Sequence, residues 1–81
     1  MRQTVGNIQG YDVIYVPEKR ILFCKNTAVP YDLLKEAVYG DIDRYNIPQK
    51  NLVIRKSGEI IEFGCLTTTI ENAKNILASI Y

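Results

Sequence analysis

The stretch Asn51–Cys65, NLVIRKSGEIIEFGC, decides the fold class. It reads as a strand from Asn51 to Lys56, a two-residue Ser57-Gly58 turn, and a returning strand from Glu59 to Cys65, the pattern of a tight β-hairpin. Closing the turn at Ser57-Gly58 sets Ile54 opposite Ile61 and Leu52 opposite Phe63. Side chains alternate across a strand, so these four residues, with Cys65 beyond them, fall on one side. Val53, Arg55 and Glu62 fall on the other. One face is apolar and the other largely wet.

Working outward, Thr67-Thr68-Thr69 announces a helix: Thr68 as N-cap with Glu71 three residues on has the form of a capping box. Ile70, Ala73, Ile76, Leu77 and Ile80 then recur at helical spacing. Forty residues upstream the pattern returns. Val13-Ile14 matches Val53-Ile54, and Ile21, Phe23 and Thr27 match Ile61, Phe63 and Thr67. The earlier half reads as a strand from Tyr11 to Val16, a longer turn at Pro17-Glu18-Lys19-Arg20, and a return from Ile21 to Lys25. Pro30 sits in the first turn of a helix whose apolar side is Leu33, Leu34, Ala37 and Val38, with Gly40 as its stop and Asp41 to Lys50 as the joint between halves.

The predicted order is therefore ββαββα. It describes an α+β domain over 1–81, an internal duplication with pseudo-repeats at 11–40 and 51–81, and two helices covering one face of antiparallel sheet. A continuous four-stranded sheet and two packed hairpins both fit, and residues 4–8 offer a further short edge strand.

Composition removes most chemistry. The 81 residues contain no histidine, which excludes the commonest general base and zinc ligand and every Ser-His or Cys-His nucleophile. Two cysteines, Cys24 and Cys65, lack metal-ligand spacing and read as reduced, buried hydrophobes. Ten Lys and Arg against nine Asp and Glu leave a net charge of +1, too little field for a general polyanion binder. Met1-Arg2-Gln3-Thr4 opens no apolar leader and no run is long enough to span a bilayer, so the expected location is cytoplasmic. No cofactor and no metal is expected, and the chain reads as a non-enzyme.

The first hairpin is apolar on both sides. Ile14, Val16, Ile21 and Phe23 make one face; Tyr11, Val13, Tyr15, Leu22 and Cys24 make the other. If the helices cover the first set, then Tyr11, Val13, Tyr15 and Leu22 form an exposed face suited to a protein partner, a second copy included as a homodimer. The competing reading folds Val5 and Ile8, or Tyr45 and Ile47, over that face as core. An alternative function is nucleic-acid binding, with Tyr11 and Tyr15 stacking on bases and Lys19, Arg20, Arg55 and Lys56 taking phosphates.

Other motifs are weaker than their plain readings. Asp41-Ile42-Asp43-Arg44-Tyr45-Asn46 begins like a calcium loop but lacks its glycine and closing glutamate. Asp32 and Glu36 share a helix face as surface charge, and the Thr67-Thr68-Thr69 run is explained by capping rather than anion binding. A short chain of this kind, with repeated units and no catalytic residues, has the type of a phage or mobile-element accessory protein that binds another protein.

Overall fold

The computed structural model describes residues 2–47 and 52–80. The chain runs β1 (Gln3–Ile8), β2 (Tyr11–Val16), β3 (Ile21–Cys24), β4 (Thr27–Pro30) and α1 (Tyr31–Tyr39). It then repeats that order as β5 (Arg44–Ile47), β6 (Leu52–Ser57), β7 (Ile60–Phe63), β8 (Leu66–Thr69) and α2 (Ile70–Ala78). Each set of four strands is an antiparallel meander, in the order β1-β2-β3-β4 and β5-β6-β7-β8. The α+β class and the packing of helices on antiparallel sheet are as the sequence predicts, with four strands in each half where the pattern read two.

The extra strands have local causes. Gln9 and Gly10 both take positive φ, 54° and 87°, as a two-residue hairpin turn requires, and Asn7 Oδ1 accepts the Gly10 amide at 2.9 Å. This turn joins β1, the strand expected near residues 4–8, to β2. Lys25 and Gly64, at φ 54° and 64°, reverse the chain again and create β4 and β8. Thr67 and Thr68 therefore lie in a strand. Thr69, not Thr68, caps α2, its hydroxyl accepting the Asn72 amide at 3.0 Å. Threonine is both a strand former and a good cap, so the three-residue run splits between the two roles. Pro30 is the N-cap of α1 and closes β4. Each helix is tied back to the same place in its own meander: Tyr31 N donates to Arg20 O, and Ile70 N to Glu59 O, both at 2.8 Å.

The second hairpin turns one residue later than the sequence suggests. Ser57 pairs with Ile60, so Gly58-Glu59 is the turn and Ile54 lies opposite Phe63, not Ile61. This slip moves each partner by two positions and keeps the parity of the strand. Leu52, Ile54, Ile61 and Phe63 all remain on the buried face. Cys65 does not follow them: it falls in the β7–β8 turn and is exposed.

One hydrophobic cluster draws on both halves, with Ile54, Ile61, Leu66 and Ile76 its largest fully enclosed side chains. The helices lie across the halves. α1 packs on β4 and β6, α2 on β1, β7 and β8, and the two helices touch each other. Close approach of α2 depends on Gly6. A β-bulge between Thr4 and Gly6 lets the strand bring Val5 and Gly6 to the core, and a Cβ at Gly6 would lie 2.5 Å from Ile76 Cγ1. Polar contacts close the same seam: Asn72 Nδ2 donates to Asn7 O at 2.9 Å, and Gln3 Nε2 to Ser79 O at 3.2 Å. Gly40 ends α1 in extended backbone, where a Cβ would crowd Glu36 O and the Tyr45 hydroxyl.

Candidate functional site

In a one-core molecule the two apolar faces of the first hairpin cannot both be inside, and the structure resolves which one is. Val13, Tyr15, Leu22 and Cys24 are buried, 2–3% exposed, and share the core with Val5, Ile8 and Val29. This corrects the sequence-based interface. Val13, Tyr15 and Leu22 are core residues, because the two helices, through Leu34, Ala73 and Ile76, and Phe63 of the second sheet pack on that side. Tyr11 has the same parity but stands at the open end of the hairpin, 43% exposed, with Lys25 Nζ 5.0 Å from its ring centre. Tyr15 is held at 5.7 Å from the tilted ring of Tyr31, so it offers no stacking platform for a base.

The outward face is the other set. Register places Thr4, Ile14, Phe23 and Ala28 in one row across the four strands, and Val16, Ile21 and Pro30 in the next. Six of these seven side chains are apolar. Phe23 is 37% exposed at the centre of its row, Ile14, Ile21, Ala28 and Pro30 are half-buried, and Val16 is buried. The equivalent face of the second sheet is more polar, with the row Arg44–Arg55–Glu62–Thr67 across its four strands, although Ile60, 38% exposed, lies on it as well. The two sheets share a topology and differ in what they show to solvent.

The four basic residues proposed for phosphates are spread between the sheets, and two are already engaged. Arg20 grips Asp32 through Nη2 and Nε at 2.7 and 3.1 Å, and its guanidinium lies 4.9 Å from the centre of the Tyr31 ring. The hydrogen bond to Arg20 holds the Asp32 carboxyl below its usual range, and the same bond raises the Arg20 guanidinium. Asp32 is thus the ion-pair partner of Arg20. Lys56 has the parity of the core face, and its ammonium donates to Gly40 O at the end of α1. Lys19 lies in the exposed β2–β3 turn, while Arg55 stands in the outward row of the second sheet.

Burial pushes the Cys24 thiol up, with Asp12 adding to the effect, so Cys24 is an unreactive core group as expected. Cys65 departs from the expectation and is open to solvent. Asp41 and Asp43 are exposed, and no group of three or more potential metal ligands occurs among the described residues. Nor, among them, is any helix long and apolar enough to cross a membrane. The sequence already shows a first hairpin apolar on both sides and a second with one wet face; what it does not show is that Ile14 and Phe23, and not Tyr15 and Leu22, make the outward face. Comparison with protein families, curated proteins and solved structures finds no match to this chain.

Proposed function

We propose that this is a non-enzymatic binding protein that engages a protein partner through the outward face of its first sheet. One observation supports the reading: the row Thr4–Ile14–Phe23–Ala28, apolar but for Thr4, lies on the sheet face turned away from the core, with Phe23 37% exposed at its centre. Contiguous exposed apolar surface on a folded domain commonly marks a contact site. A large aromatic at the centre of such a patch is the usual anchor of a protein interface. The role is that of an accessory or adaptor chain acting by association, in keeping with the histidine-free composition and the engaged carboxylate at Asp32.

The test is affinity capture from native lysate with three baits: the natural chain, Phe23→Lys, and Glu62→Lys as a control on the outward face of the second sheet. Each is run with and without nuclease. The expected result is a set of proteins retained by the natural and Glu62→Lys baits and lost with Phe23→Lys. Identical profiles for all three would refute the reading. Loss of all captured material after nuclease would transfer the function to nucleic acid.

A further inference from the structure

We propose that Arg44 and Arg55, on the outward face of the second sheet, bind a small oxyanion of the phosphate type, free or as a monoester; the site is independent of the docking face on the first sheet. Register sets the two arginines directly opposite each other on β5 and β6, and both are exposed. Side chains so placed have Cβ atoms about 4.5–5.5 Å apart, and like charges there are destabilising. Glu62 stands opposite Arg55 on β7, where an ion pair would offset that cost. The pair is not made: among the described residues no ion pair or side-chain hydrogen bond engages Arg44, Arg55 or Glu62.

The rest of the chain handles the same positions differently. Arg20 is held by Asp32 and lies over the Tyr31 ring, so its charge is spent within the fold. In the first meander the places that match Arg44 and Arg55 are taken by Thr4 and Ile14, opposite each other in the same way, so the fold itself needs no charge there. Two adjacent, unpaired guanidinium groups are thus a local conflict without structural return. Natural chains keep such conflicts mainly where function uses them.

The ligand chemistry follows from the donors. A guanidinium presents N–H groups in a planar fork that matches phosphate oxygens, and two forks on neighbouring strands reach different oxygens of one anion. A phosphate monoester carries about −1.5 to −2 near neutral pH, which balances two guanidinium charges where a carboxylate would balance one. Beside Arg55 an open recess of about 340 Å³, bounded by Val53, Glu62 and Gly64, leaves room for the group an ester carries. Its apolar share is small, with Val53 half-buried and Ile60 in the next row, so the affinity rests on the anion.

The probes are inorganic phosphate and glycerol phosphate at constant ionic strength, with chloride as the reference anion. Binding is followed by heteronuclear NMR of the natural chain, Arg44→Gln, Arg55→Gln and Lys19→Gln. A few exposed charge-assisted hydrogen bonds should give a dissociation constant on the order of 1 mM, with shifts centred on the Arg44 and Arg55 side chains. Each arginine variant should bind about ten-fold more weakly, and Lys19→Gln, in the exposed β2–β3 turn, should bind like the natural chain. In chloride the arginine variants should melt at or above the natural temperature, because the repulsion is gone. Phosphate should then raise the melting temperature of the natural chain more than that of either variant. Tighter binding of glycerol phosphate identifies an ester held over the recess, and equal binding identifies the free anion. No binding up to about 20 mM, or equal binding by the natural chain and both arginine variants, overturns the site.

Discussion

Adding one methyl group at Gly6 should disturb the seam where the second helix meets the first sheet. The Cβ of Gly6→Ala would stand 2.5 Å from Ile76 Cγ1 and 3.3 Å from Cδ1. Cγ1 is close to the root of a side chain that is 2% exposed, so rotation does not clear it and the strand or helix must shift. Overpacking of this kind costs about 1–3 kcal/mol. Restricting the unfolded chain returns about 0.4–1 kcal/mol, so the net loss spans roughly 0–2.6 kcal/mol and centres on about 1–2 kcal/mol. In a domain of 81 residues that lowers the melting temperature by roughly 4–16 °C. The diagnostic is a double-mutant cycle followed by urea unfolding and circular dichroism. Ile76→Ala alone should cost about 2–5 kcal/mol through its cavity. In the double variant the alanine methyl occupies the vacated space, so its loss should fall short of the sum by about 1 kcal/mol or more. Strict additivity, or a Gly6→Ala variant within about 0.5 kcal/mol of the natural chain, would show that α2 does not rest on β1 as described.

Tyr15→Ser should cost about 3 kcal/mol in urea unfolding, because the ring is 3% exposed and packs on Tyr31; a variant of natural stability would return Tyr15 to the surface. With a thiol reagent under native conditions one cysteine, Cys65, should react fast and Cys24 only as the chain opens, with peptide mapping to identify each; equal rates would contradict the burial. Asp32 has its folded-state pKa lowered by Arg20, so its contribution is present above the unfolded carboxylate range and is lost as pH falls through the folded value. The melting temperature of the natural chain should therefore drop on going from about pH 5 to about pH 3 by more than that of Asp32→Asn, and equal drops would remove the ion pair from the acid response.

Much of the fold is legible because strand and helix periods write themselves directly on the chain. The α2 stripe Ala73, Ile76 and Leu77 is buried as its spacing predicts, and so is the α1 set Leu34, Ala37 and Val38. The β4 and β8 strands were harder to read. Each is four residues long and runs straight into a helix, so no loop marks the boundary. The cap at Thr69 was ambiguous because three threonines in succession each satisfy the same local rule.

The candidate site was less legible than the fold. Ile14 and Phe23 on one side, and Val13, Tyr15 and Leu22 on the other, are equally apolar, and hydrophobicity assigns both sides to the interior. Only the covering elements break the tie. Leu34 of α1 and Ala73 and Ile76 of α2 close over the Val13–Leu22 side, to which β1 adds Val5 and Ile8 in the same sheet, and Phe23 is left outside.

By itself, then, the sequence determined the periodicities and thereby the class, both helices and the buried parity of β6 and β7. These are properties of neighbours along the chain, and a two-residue register slip does not change them. Which apolar face became core, where Lys56 and Arg20 spend their charges, and which cysteine meets solvent were decided by the tertiary structure. Each depends on a segment distant in sequence taking up one of two sides, and the free energy that selects the side comes from packing between halves, not from local preference.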